Sequence, residues 1–197
     1  MEQNLSALTF GVEIECIMPA GMTRADLAAR VGAAGVQAAE ELYNHRISAG
    51  WKLVTDGSLS DYVRGTELVS PILSGDDGMV QIGRVCGALA DAGVTVNRSC
   101  GLHVHVGARS MPLGSFKKLL QSYAQFEAVI DTLLAPSRRG EANRYCQPTT
   151  YTVPMARAST IDHLRRAYGG NRYRKLNIES FWRHGTVEFR AHQGTID

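Results

Sequence analysis

The chain is 197 residues long, 44% hydrophobic and 20% charged, the proportions of an ordinary soluble globular protein with enough length for one domain and a substantial core. Its formal net charge of +2 gives no electrostatic case for nucleic acid or a membrane surface as the main partner. No apolar run is long enough to span a bilayer, and "MEQNLSALTF" lacks the basic-then-apolar order of an export leader.

In chain order, "LTFGVEIECIM" alternates Leu8, Phe10, Val12, Ile14 and Cys16 with Thr9, Gly11, Glu13 and Glu15, the period of a strand with one apolar face. "TRADLAARVGAAGVQAAEEL" follows as a helix, with Thr23 as N-cap, Asp26 completing a capping box, and Gly32 and Gly35 as weak points. "WKLVTDGSL" is a strand entering a turn at Asp56-Gly57, and "GTELVSPIL" returns from it. Asp76 to Ala92 fits a helix entered from an Asp-Asp cap and ended by Gly93. "VTVN" then leads to "CGLHVHVG", a strand with Leu102, Val104 and Val106 on one face and Gly101, His103, His105 and Gly107 on the other.

Leu113 to Leu134 is the strongest helix, with Leu119, Leu120, Tyr123, Phe126, Ile130 and Leu133 on one broad face. From Ala135 to Ala158 the periodicity fails, and a loop of this length inside a compact domain is usually either functional or disordered. Ser159 caps the short helix "TIDHLRRAY", and Asn171 to Phe181 reads as a strand. His184-Gly185 joins it to "GTVEFRAHQG", where Val187, Phe189 and Ala191 oppose Thr186, Glu188, Arg190 and His192. Strands and helices are mixed without the regular alternation of a parallel doubly wound sheet. No repeat or linker divides the chain, so a single domain over 1–197 is expected.

Any one of the three polar-faced strands fits a sheet with one solvated side; three carrying acids, imidazoles and an arginine fit the wall of a polar cavity. Like charges so close repel unless water or cations screen them. The candidate groups are Glu13, Glu15, Asp56, Glu67, His103, His105, Glu188, Arg190 and His192. Oxygen donors in excess over imidazoles suit magnesium or manganese better than structural zinc. An arginine among them points to an anion, most naturally a phosphate, and such a set neutralises charge that develops on a transferring phosphoryl group.

Other features have plainer readings. The four cysteines, Cys16, Cys86, Cys100 and Cys146, fall at no metal-ligand spacing and fit reduced thiols in a cytoplasmic protein; a nucleophilic Cys100 is the weaker reading. "RRAYGGNRYRK", Arg165 to Lys175, reads as a solvated basic surface. Its functional alternative is Arg172 or Arg174 contacting a triphosphate or acidic substrate. With Tyr168 and Tyr173 interleaved, single-stranded nucleic acid is a third reading, against which the balanced net charge stands. Arg64 is either a surface charge or a phosphate contact.

Together "FGVEIE", "DGSL" with "GTELVSPIL", "CGLHVHVG" and "GTVEFRAHQGT" resemble the amidoligase family, relatives of glutamine synthetase and glutamate–cysteine ligase. Each motif alone is weak; the ordered set, running from Phe10 to the C-terminus, is specific. The resemblance implies an α+β, glutamine synthetase-like catalytic domain with a curved, mostly antiparallel sheet and helices on its outer face. It implies a ligase in which ATP phosphorylates a carboxylate and an amine attacks the acyl phosphate. Glu13, His103 and Glu188 would hold one divalent ion, Mg2+ or Mn2+, and Glu15 and Glu67 a second, completed by Asp56. Arg190 would stabilise the transferring phosphoryl group, His105 would face the nucleotide phosphates, and Glu67 joins them among the catalytic candidates. Asn97 resembles the asparagine with which glutamine synthetase contacts its carboxylate substrate, and Arg64 is the remaining nucleotide candidate; Asn177 matches a family position without an assigned role. Members of the family continue past "HQGT" with a helical segment, so a domain lacking that segment is expected here.

Two other functions fit the same residues: a metal-dependent hydrolase with Glu15 or Glu67 as base, and a module that binds a nucleotide or peptide without turnover. For a ligase, the acid and the amine come from small molecules, peptides or protein side chains, with selection expected from the segment Arg138 to Thr152 and from the turns at the sheet mouth. A homo-oligomer is open, since relatives assemble into rings.

Overall fold

The computed structural model describes residues 8–44, 46–141 and 143–197; the segment read above for an export leader lies, up to residue 7, outside the described residues. The fold class is α+β, with strands mostly antiparallel in an open, mixed sheet, accompanied by helices. No helix among the described residues is long and apolar enough to cross a membrane. The chain divides into two compact units: the first runs to Val104 and takes back Gln193–Asp197, and the second is His105–His192.

In the first unit, β1 (Thr9–Ile17) pairs antiparallel with β4 (Gly65–Val69) and, at its start, with β5 (Leu73–Ser74). β3 (Trp51–Val54) lies antiparallel to β4, and β2 (Ala38–Glu40) is parallel to β3. The strand order is β2-β3-β4-β1-β6, with β6 spanning Gly101–Gly107. Alternation puts Val12, Ile14 and Cys16 with Leu53 and Leu68 on one face, where α1 (Arg24–Ala33) and α2 (Gly75–Asp91) cover them through Leu27, Val31, Val85 and Leu89. Ile196 packs against the same core. The opposite face carries the acids.

α1 begins with the expected capping box, the Thr23 hydroxyl accepting from the Asp26 N–H at 3.1 Å and the Asp26 carboxylate accepting from the Thr23 N–H at 2.9 Å. It ends at Ala33, short of the expected Leu42, because Gly35 adopts φ +80°, a left-handed conformation that ends a helix. The chain then runs into β2, the one parallel edge. α2 is capped at Ser74, with Asp76 and Asp77 inside its first turn rather than at the cap, and it stops before Gly93 at φ +73°.

In the second unit, β8 (Thr186–Gln193) lies between β6 and β7 (Leu176–Asn177), antiparallel to β7. α3 (Leu113–Asp131) and α5 (Ile161–Tyr168) pack through Phe116, Leu120, Tyr123, Leu164 and Tyr168 onto Leu176, Ile178 and Val187. The buried face of α3 is rotated from the expected one: Phe116 and Glu127 are buried, whereas Phe126 is 53% exposed and Leu133, beyond the helix end, is 79% exposed. Thr160, not Ser159, caps α5, its side chain accepting from the His163 N–H. The expected strand over Asn171–Phe181 shrinks to β7, because Ile178 onward turns into the helix α6 (Ser180–His184). Among the described residues of the 135–158 segment, the helical pieces are a 3-10 turn at Pro136–Arg138 and the single-turn α4 (Val153–Ala156).

Candidate functional site

The first unit gathers most of the acids. The β1/β4 register sets Glu15 directly opposite Glu67, and the β3/β4 register sets Val54 opposite Glu67. Residues opposite one another share a face, and so do residues two apart. Asp56, two residues after Val54, therefore extends the row that Glu15 and Glu67 begin. One ligand atom from each of Glu15, Asp56 and Glu67 lies within 4.8 Å of the others, and the same holds for Glu13, Glu67 and His103. Glu67 belongs to both sets. His103 Nδ1 is 2.8 Å from Glu13 Oε2, and its Nε2 is 3.7 Å from Glu15 Oε1.

Three of these groups, Glu15, Glu67 and His103, are withdrawn from solvent, while Glu13 and Asp56 are half-buried. Glu15 is 4%, Glu67 6% and His103 4% exposed, so the carboxylates face one another where water screens them little. Glu15 Oε2 accepts the Gly101 N–H at 2.6 Å, and Asp56 accepts the Ser58 N–H and hydroxyl within its turn. A donor set of carboxylates with one imidazole fits a hard divalent cation of the magnesium or manganese type. Burial, then Cys100 and Glu15 nearby, pushes the Cys16 thiol well above the usual range, which makes it a packing residue and not a nucleophile. Cys100 is itself fully buried.

Two residues expected near the nucleotide have other engagements. Arg64 is exposed and pairs with Asp61 at 2.7 Å. Asn97 is exposed as well: its Oδ1 accepts the Ser99 N–H and hydroxyl, and its Nδ2 donates to Ser60 Oγ at 3.3 Å.

The second unit also carries polar residues. β7 sets Asn177 opposite Glu188, and Asn177 Nδ2 donates to Glu188 Oε2 at 2.6 Å. Arg190 Nη1 donates to Glu188 Oε1, and Arg190 Nε donates to the Tyr145 carbonyl at 3.3 Å. His105 Nδ1 is 3.0 Å from the Thr186 hydroxyl, and its Nε2 is 3.9 Å from Glu188 Oε1. His105, Glu188 and Arg190 are thus together, and Asn177 acquires a contact: it fixes the carboxylate of Glu188. His192 follows on β8, half-buried.

Sequence reading missed several residues. Lys175, expected in a solvated basic run, is fully buried against Asp131 and Glu127, and Arg165 in the same run forks onto Glu179 through Nε and Nη2. Lys52 is buried with its ammonium on the carbonyls of Asn44 and Arg46. Thr186 was visible only as a strand residue. None of these has a local signal, because each partner lies far along the chain or on an irregular loop.

Within the first unit, the α+β sheet gathers carboxylates and one imidazole into two groups that could hold a metal ion. The family model described as "Putative amidoligase enzyme" matches residues 6–197, and the chain belongs to that family, whose name is that of a ligase. No curated protein and no solved structure matches the chain.

Proposed function

We propose that this protein is an ATP-dependent carboxylate–amine ligase that forms an amide or isopeptide bond through an acyl phosphate, on a glutamine synthetase-like catalytic fold. The observation that supports the reading best is the pair of ligand sets sharing Glu67, in a chain of the amidoligase family. Glu13, Glu67 and His103 would hold one divalent cation, and Glu15, Asp56 and Glu67 a second. Bound there, such ions supply charge neutralisation for the ATP phosphates and for the leaving phosphate.

The chain's own groups do the rest. The Glu13 carboxylate orients the His103 imidazole, and Gly101 N–H holds the Glu15 carboxylate. Asn177 fixes Glu188, which in turn orients the Arg190 guanidinium. Arg190 stabilises negative charge on the transferring phosphoryl group, and His105, braced by Thr186, faces the phosphates. A free carboxylate is a poor electrophile; phosphorylation releases ADP and leaves a mixed anhydride, from which the amine displaces phosphate. The substrates are small-molecule, peptide or protein carboxylates and amines, and the buried thiols Cys16, Cys100 and Cys146 suit a cytoplasmic setting.

ADP release across a panel of acid and amine pairs tests this reading. The expected result is turnover with at least one pair, falling by about 100-fold or more in Arg190→Ala and in Glu13→Ala, with the melting temperature retained. Turnover without nucleotide would make the protein a hydrolase instead. Unchanged activity in both variants would overturn the site assignment.

A further inference from the structure

The buried lysine of the second unit answers to no role in the chemistry above. Lys175 is completely buried, and its ammonium sits 2.6 and 2.7 Å from the two oxygens of Asp131 and 3.3 Å from Glu127 Oε1. Those two acids, four residues apart on α3, each spend a second bond on the irregular 139–149 segment. Asp131 Oδ2 accepts the Gly140 N–H at 2.7 Å, and Glu127 Oε2 accepts the Thr149 N–H at 2.7 Å. The segment is therefore tied at both ends to carboxylates that one ammonium holds.

Gln147, within the segment, forms an isolated parallel bridge with Arg174, just before β7. Gln147 N–H donates to the Tyr173 carbonyl at 2.7 Å, and Lys175 N–H donates to the Gln147 carbonyl at 2.8 Å. Arg190 is held from both: its N–H donates to the Lys175 carbonyl at 2.8 Å, and its Nε donates to the Tyr145 carbonyl at 3.3 Å. A buried ammonium bonded to two carboxylates is costly to strip of either partner.

We propose that Lys175 is a positioning residue: through Asp131 and Glu127 it moors the backbone at Gly140 and at Thr149, and the Tyr145 carbonyl between them joins Glu188 in setting the orientation of the Arg190 guanidinium. The importance of that orientation for phosphoryl transfer rests on the ligase reading; the mooring itself does not. It assigns the long irregular segment a task at Arg190 besides any contact with substrate.

The test is nuclear magnetic resonance on the full chain, following hydrogen exchange of the Gly140 and Thr149 amides and of the Arg190 Nε–H. Arg190→Lys identifies the Arg190 signal, and Arg165 Nε–H, bonded to Glu179, serves as internal control. In Lys175→Met, protection at Gly140, Thr149 and Arg190 Nε–H is expected to fall by about tenfold or more, with Arg165 Nε–H unchanged. If that variant does not fold, Asp131→Asn, which leaves Lys175 on Glu127, is expected to lower protection at Gly140 and at Arg190 Nε–H by about threefold. Opened amides with an unmoved Arg190 signal would overturn the proposal, and so would unchanged amides. A parallel loss at Arg165 would reduce Lys175 to a general structural role and overturn it as well. Wild-type protein that fails to bind Mg-ATP would count against the ligase reading alone, because none of these signals requires nucleotide.

Discussion

Glu15 and Glu67 stand face to face across an antiparallel register, both nearly inaccessible to water. Directly opposed like charges on a sheet cost up to about 1 kcal/mol even where partly screened, a cost that a bound divalent cation would offset. Glu67→Gln is therefore expected to abolish tight Mn2+ binding, read by titration calorimetry, while the melting temperature without metal stays equal to or above that of the wild type. A lowered melting temperature with metal binding intact would show Glu67 to be structural. Asp26 makes a different test at this scale. Its bonds to Thr23 hold its carboxyl below the usual carboxylate range, so its contribution is complete above the ordinary carboxylate pKa and is lost as the pH falls through the lowered folded value. Melting of wild type and Asp26→Ala should differ at neutral pH and converge in acid. Glu13, Glu15, His103, Glu188 and Arg190 were legible as a polar set because alternation on a strand is a local property. That Glu67 belongs to two ligand sets, and that Asn177 holds Glu188, depends on register between strands, which no single strand encodes.

At the scale of elements, helices proved harder to read than strands. The apolar positions of α3 admit two faces, and the chosen one included Phe126 and Leu133. What rotates the helix is Glu127, buried because Lys175, 48 residues away, supplies its counter-charge; local pattern is blind to such a partner. Phe116→Ala should consequently cost about 3–5 kcal/mol, and Phe126→Ala about 0.5 kcal/mol or less, in chemical denaturation. The reverse order would restore the face expected from periodicity. Close backbone approach beside the strands matters for the site as well. A methyl group at Gly194 would stand 2.5 Å from Cys100 Cβ and 3.2 Å from the Glu15 carbonyl, beside the strand that delivers His103. Gly194→Ala is expected to cost about 1–3 kcal/mol through this overpacking, together with weaker metal binding. The capping box of α1 and the stop at Gly93 were written in short motifs and read correctly; β2 was not, because a three-residue parallel edge has too few positions to show a period.

For the whole molecule, the ordered motifs and the family match over residues 6–197 agree on an amidoligase, and the acid and imidazole sets of the first unit are the residues with which the proposed ligase would hold its metal ions. The acid and amine themselves were not legible, since the segment from Arg138 to Thr152 expected to help select them has no period and its anchors include residues of α3 and β7. The most direct test of the central claim is a calorimetric titration of Mg-ATP into the purified chain, run beside a magnesium-free control and the Glu67→Gln variant. Binding that requires magnesium and is lost in Glu67→Gln is the predicted result. Absence of binding, or binding indifferent both to magnesium and to Glu67, would contradict the account.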